Sequence, residues 1–183
     1  LGDGTTANKT VPTQIGTDTS WLKIAAGNGF SLATKMNGTL WTWGNNSDGQ
    51  LGNGTTNNVT VPTQIGTDND WADVAAGYNH SMGKKLNGLL LTWGNNTYGQ
   101  LGDGTNVNRL APVSVFDQVE NIDAGWNYTV GTMTYGNMFY TGQNNFGQLG
   151  DGTTNNSNFI SVTNSNTHQL ISAGAYHTFS LNT

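Results

Sequence analysis

The chain contains no cysteine. Disulfides, thiolate metal sites and a cysteine nucleophile are therefore excluded. Charge is scarce as well: 9% of residues are charged, where a quarter or so is usual. With 6 Lys+Arg against 11 Asp+Glu, the formal net charge is -5. That surface lacks the basic stripe that neutralises phosphates, so nucleic acid is not expected as a partner. No apolar run approaches the roughly 20 residues of a membrane-spanning helix. No segment of useful length carries the 3.6-residue period of an amphipathic helix.

Glycine is abundant instead, 26 of 183 residues, alongside much asparagine and threonine. These residues fall in a repeated phrase. "WGNNSDGQLGNGT" at 43–55 returns as "WGNNTYGQLGDGT" at 93–105 and as "TGQNNFGQLGDGT" at 141–153. The pentapeptide LGDGT or LGNGT begins at Leu1, Leu51, Leu101 and Leu149. It divides one domain, 1–183, into units 1–50, 51–100, 101–148 and 149–183. A second landmark, Ala-Gly, recurs at Ala26, Ala76, Ala124 and Ala173.

Each unit reads as four short strands separated by turn residues. The first is TVPTQI at 10–15 and again at 60–65, and LAPVSV at 110–115. Pro12, Pro62 and Pro112 mark an edge or strand-start position, because proline cannot donate to a ladder. The second ends in Ala-Gly, the third begins at Phe30, His80, Tyr128 or His177, and the fourth leads into the joint phrase. Asn37-Gly38 and Asn87-Gly88 predict type I′ hairpin turns between the third and fourth strands. Tyr135-Gly136-Asn137 predicts a less standard turn in the third unit. Four-stranded units at this period predict an all-β fold, a partial β-propeller of three complete repeat units plus an incomplete fourth. An open part-ring would expose two apolar faces. The remaining blades are accordingly expected from a longer chain or from a second copy.

The whole unit resembles the repeats of the regulator of chromosome condensation family. It runs from proline to an apolar strand ending in Ala-Gly, then His or an aromatic followed by Ser/Thr, a glycine turn and the phrase WG-N---GQLG. The resemblance implies a propeller, typically of seven blades. It also implies a rigid disc presenting loops to another protein. Members include an exchange factor for a small GTPase, ubiquitin-ligase modules and a propeller that inhibits β-lactamases.

Candidate chemistry is sparse. His80 and His177 share a slot with Phe30 and Tyr128, which reads as packing with an optional polar tip. The hydroxyl that follows (Ser31, Ser81, Thr129, Thr178) points to the opposite face of its strand, so it reads as architecture, not as a nucleophile beside a base. Asp3, Asp103 and Asp151 are matched by Asn53 and read as turn residues instead of calcium ligands. No catalytic residue, metal site or cofactor is expected. The informative variation follows Ala-Gly, where the pairs are Asn28-Gly29, Tyr78-Asn79, Trp126-Asn127 and Ala175-Tyr176. Large aromatics on tight loops are common interface anchors. Asn28, Tyr78, Asn79, Trp126, Asn127 and Tyr176 are therefore the candidate partner-binding residues. Asp48, Tyr98 and Phe146, which vary inside the joint, extend that set.

The function expected is non-enzymatic binding of a protein partner, whose identity the sequence leaves open. A glycan-binding surface is one alternative. Nucleotide exchange on a small GTPase is another, implied by the resemblance alone. The Asn- and Thr-rich composition leans toward a bacterial protein and an extracellular or cell-surface place.

Overall fold

The computed structural model describes residues 2–163 and 168–182; Leu1, the first repeat landmark, lies outside them. All the regular structure in them is β. Strands β1 (Trp21–Ala26), β2 (Phe30–Lys35), β3 (Leu40–Gly44) and β4 (Val59–Ile65) form an antiparallel sheet in sequence order. A second sheet repeats the order with β5 (Trp71–Ala76), β6 (His80–Lys85), β7 (Leu90–Gly94) and β8 (Arg109–Phe116). The third holds β9 (Val119–Ala124), β10 (Tyr128–Met133), β11 (Met138–Gly142) and β12 (Ser157–Val162). Strands β13 (His168–Ala173) and β14 (Thr178–Asn182) make a two-stranded fourth. These are propeller blades, the last incomplete.

The blades straddle the sequence units. The proline-bearing strand closes the sheet of the unit before it, pairing across the joint as β4 on β3 and β8 on β7. Pro62 and Pro112 thus sit on edge strands, where a missing N–H breaks no ladder. The stretch at 10–15, expected as a strand, forms none. Elsewhere its partner is the strand before the joint, and the described residues ahead of it contain no such strand.

The hairpin turns differ from the type I′ expectation. That turn needs positive φ at both central residues, yet Asn37 and Asn87 do not have it, and Gly38 (φ 76) and Gly88 (φ 85) do. The Gly38 N–H donates to the Lys35 carbonyl, and the Lys35 N–H to that of Thr39. This is a three-residue loop, a turn followed by one left-handed glycine in a bulge. Gly136 (φ 82) closes the same loop in the third blade, its N–H donating to Met133. The turn expected to be less standard is thus the common one, because only its glycine is constrained.

The apolar core lies between sheets. Phe30, Leu32 and Leu40 of the first blade bury against Trp71 and Val74 of the second. Met82 and Leu90 bury against Val119 and Phe139. Tyr128 and Val130 take Ile171 and Ala173 of the two-stranded blade. A four-stranded unit is too thin to enclose a core alone, so each hides its face on its neighbour.

The joint phrase is structural. Asn46 is fully buried; its Nδ2 donates to the Thr55 and Asn57 carbonyls and to Asn53 Oδ1, and its Oδ1 accepts from the Leu51 N–H. Asn96 and Asn144 repeat the arrangement. Gln50 folds back so that its Oε1 accepts from the Asp48 N–H. Its carbonyl receives the Ser81 hydroxyl at 2.7 Å and the Trp93 indole N–H at 2.9 Å. The recurring hydroxyl therefore ties one blade to the joint of the blade before, as Thr129 does to Gln100 and Thr178 to Gln148.

Candidate functional site

The site grows from the Ala-Gly landmark at the inner end of each blade. A Cβ on Gly77 would lie 2.1 Å from the His80 ring and 2.6 Å from the Gly125 carbonyl oxygen. Only glycine lets the slot ring fold over the loop while the next blade's backbone presses against it. Past it, the first loop residues of consecutive blades join hands. The Asn28 N–H donates to the Tyr78 carbonyl at 2.9 Å, Tyr78 to Trp126 at 2.9 Å, and Trp126 to Ala175 at 3.2 Å. This chain of bonds rims a cavity of roughly 370 Å³ lined by Asn28, Tyr78, Trp126 and the Ala-Gly backbone.

On that rim the side chains meet. Tyr78 and Trp126 lie 5.2 Å apart between ring centroids, Trp126 and Tyr176 5.0 Å, and Tyr176 and Phe146 5.1 Å. Their interplanar angles of 46°, 66° and 61° give a corrugated run instead of a flat shelf. All four are exposed, Trp126 to 44% and Phe146 to 70%. Four of the nine sequence candidates thus form one continuous surface.

The others take different parts. Asp48 and Asn79 meet at the first junction between blades, where Asp48 Oδ2 accepts from Asn79 Nδ2 at 2.9 Å. Asp48 Oδ1 accepts from Asn95 and Asn108 as well, so its carboxylate is occupied in holding two blades together. Asn127 donates to Gln143 Oε1 within the third blade. Asn28 is exposed at the rim, and Tyr98 is half-buried at its own joint. Around the mouth the equivalent tip residues run Asp48, Tyr98, Phe146 and the loop residues Asn79, Asn127, Tyr176; Asp48 bonds Asn79 at the first junction and Phe146 packs on Tyr176 at the third. One side of the mouth is polar and the other aromatic.

The slot behind the mouth carries no chemistry of its own. His80 is fully buried, and its Nε2 lies 3.1 Å from Thr129 Oγ1. Thr129 spends its proton on the Gln100 carbonyl, so His80 Nε2 must donate to it. Nδ1 is left as a buried acceptor with no partner among the described residues. Burial pushes the imidazole down to about 4, so it is neutral at ordinary pH. Tyr128 fills the same slot, its hydroxyl donating to the His177 carbonyl at 2.6 Å. Among the described residues no group of three or more His, Cys, Asp or Glu is placed to hold a metal ion.

Two features escaped the sequence reading. Lys85 is buried over the Trp71 ring at 3.9 Å and ion-paired with Asp68 and Asp70. Lys35, partly buried, lies over the Trp21 and Trp41 rings and pairs with Asp18. The signal was the acidic residue shortly before each tryptophan (TDTSW, TDNDW), at the end of the blades opposite the mouth. The buried role of Asn46 was hidden by its resemblance to any other loop asparagine.

The family model for the Regulator of chromosome condensation (RCC1) repeat matches residues 37–83, 87–131 and 135–181, and a second model for that repeat matches 21–50 and 71–100. No curated protein matches the chain. Similar solved structures include Prp20p from Saccharomyces cerevisiae, described with its binding to Gsp1p and histones: 21% identity over 86% of this chain and 42% of that one, TM-score 0.75. Yeast Prp20 bound to Kap60 is 19% identical over 94% of this chain and 43% of that one, TM-score 0.76. Human WBSCR16 is 20% identical over 100% of this chain and 65% of that one, TM-score 0.57. The chain therefore spans less than half the length of the Prp20 structures it matches. At these identities the likeness is one of fold.

These matches overturn the lean toward an extracellular or cell-surface place. The family model describes a chromosome-condensation regulator, and Prp20p has histones among its partners. The composition behind that lean has a different cause: the asparagines and threonines are consumed by turns and joints.

Proposed function

We propose, since the chain belongs to the Regulator of chromosome condensation repeat family, that it forms part of a protein-binding propeller whose mouth is the binding face. The run Tyr78, Trp126, Tyr176 and Phe146 carries this reading. Aromatics held on a hydrogen-bonded rim bury large area at small entropic cost. The tilts between rings favour a protein over a glycan, because sugar stacking uses a flat face. No charged side chain lies within the run, so association would proceed at ordinary rates without steering.

Nucleotide exchange on a small GTPase is the second reading, favoured by the match to Prp20p and its binding to Gsp1p. The same relatives make a nuclear setting the one to test. Against exchange stand the compact joints, which carry no wedge-like insertion in the residues described. Titration calorimetry of the chain with Gsp1p, and release of labelled nucleotide from it, separates these outcomes. Binding that falls at least tenfold in a Tyr78→Ala, Trp126→Ala double variant supports the mouth as the face. Accelerated release adds exchange. Binding untouched by the double variant sinks the face assignment, and no binding sinks the GTPase reading.

A further inference from the structure

Asparagine is followed by glycine four times, at Asn28, Asn37, Asn53 and Asn87. Such a pair can react with itself. The glycine nitrogen attacks the carbonyl carbon of the asparagine side chain, and no Cβ on the glycine hinders the approach. The attack needs two freedoms: an unbonded glycine N–H and an asparagine amide able to swing onto it. Three of the four pairs lack both. The Gly38, Gly54 and Gly88 N–H groups donate to the carbonyls of Lys35, Leu110 and Lys85 at 2.8, 2.8 and 3.0 Å. Asn37 Oδ1 accepts from the N–H and hydroxyl of Thr39, Asn53 Oδ1 from those of Thr55, and Asn87 Oδ1 from the Leu89 N–H.

Asn28-Gly29 has both freedoms. The two residues are exposed on the rim of the mouth. Among the described residues the Gly29 N–H donates to no acceptor, and the Asn28 side chain makes no hydrogen bond. The backbone around them is still fixed: the Asn28 N–H donates to the Tyr78 carbonyl at 2.9 Å, and the Gly29 carbonyl accepts from the Asn45 N–H at 2.8 Å. The freedom belongs to the loop itself. Asn79 and Asn127 stand at the Gly29 position with a blade on either side, and their N–H groups also find no acceptor among the described residues. Tyr78 and Trp126, at the Asn28 position, are 41% and 44% exposed. Of these loops, the first alone combines a free glycine N–H with a preceding asparagine.

We propose that Asn28 is a site of spontaneous deamidation on the rim of the mouth. The Gly29 nitrogen gives its proton to solvent base and forms a bond to Asn28 Cγ. The Cγ–Nδ2 bond breaks, and Nδ2 leaves as ammonia with a proton from water, so residues 28 and 29 share a five-membered succinimide. Water then opens the ring at Cγ to give aspartate, or at the backbone carbonyl carbon of residue 28 to give isoaspartate. Either product sets a carboxylate beside Tyr78, at the head of an aromatic run that carries no charge. The isoaspartyl product also adds one backbone atom between the bond to Tyr78 and the bond from Asn45, so one of the two must shift. The site rests on these bonds alone and does not depend on what the mouth binds.

Peptide mapping by mass spectrometry tests this on the 183-residue chain, held folded at pH 8 and 37 °C. Conversion adds about one mass unit at the modified residue. Asn28 should convert at least about tenfold faster than Asn37, Asn53 or Asn87, each of which must first break hydrogen bonds on both reacting groups. In urea, where the fold no longer protects any of them, the four rates should converge to within about threefold. Gly29→Asn, which copies the residue of the next two blades, should slow conversion at Asn28 at least about tenfold and keep the circular dichroism spectrum. If that variant loses its fold, Asn28→Gln is read instead by the ammonia released from the folded chain, which should fall to the level of the other three sites. Equal rates at the four sites in the folded chain, faster conversion at any of the other three, or ammonia release unchanged by Asn28→Gln would each overturn the proposal. So would an Asn28 that stays intact in the folded chain while the unfolded chain reacts.

Discussion

At the scale of single residues, chemistry gives way to placement. His80 reads from the sequence as a packing residue with an optional polar tip, and in the fold it acts as a spacer with one donor. Its imidazole is held down at about 4 by burial, below the 6.5 of an exposed histidine. Between those values the unfolded chain takes up a proton that the folded chain refuses. Stability from this group is therefore complete above pH 6.5 and is lost as pH falls toward 4, by at most about 3 kcal/mol. Phe30 fills the same slot, so His80→Phe should fold and remove that dependence. Urea denaturation at pH 7.5 and 4.5 should show the wild type losing more stability than the variant. Equal losses would mean that His80 opens to solvent before it protonates. Asp48 makes the companion point. It was legible as the variable tip of the joint, but no residue pattern could say that its carboxylate was already occupied by Asn79, Asn95 and Asn108.

The hairpins show what is decided at the scale of an element. Asn-Gly suggested a two-residue turn, because that dipeptide suits positive φ twice. The register Thr34 opposite Leu40 leaves five residues between paired positions, and the loop takes a turn plus one bulge glycine. Only Gly38 is then constrained: its φ is 76 and a Cβ would lie 1.9 Å from the Asn69 carbonyl oxygen. Gly38→Ala should cost about 2 kcal/mol or more through strain and steric overlap. Asn37→Tyr should cost under about 1 kcal/mol, limited to the bonds that Asn37 Oδ1 accepts from Thr39, since Tyr135 stands at that point of the third blade. Chemical denaturation of both variants checks the order. A larger loss for Asn37→Tyr would return the turn to the type I′ class.

For the whole molecule, stability lies between blades. Val74 and Ile24 hold one repeat position, and a reader of the sequence would treat them alike. Val74→Asp places a carboxylate in the shared core and should cost roughly 3 kcal/mol or more. Ile24 is 79% exposed, so Ile24→Asp should change the thermal midpoint by only a degree or so. Comparable losses at both sites would mean that the blades are stable individually and that the shared cores add little.

The period, the turns, the edge prolines and the all-β class were set by local rules that act within a dozen residues, and they were legible in the sequence. Glycine wherever φ is positive and alternation wherever a strand has one buried face leave a record in the order of residues. The membership of the blades was not legible, because a strand before the joint and a strand after it pair through hydrogen bonds that carry no sequence label. The aromatic run was legible as a set of candidate residues, and its contacts were not. Tyr78, Trp126, Tyr176 and Phe146 lie far apart in the chain, and only the closing of inner loops into a bonded rim brings their rings to about 5 Å. The sequence alone determined that equivalent residues recur. The tertiary structure decided which recurrences are buried, which are bonded and which are free to meet a partner, because those depend on what the neighbouring blade covers.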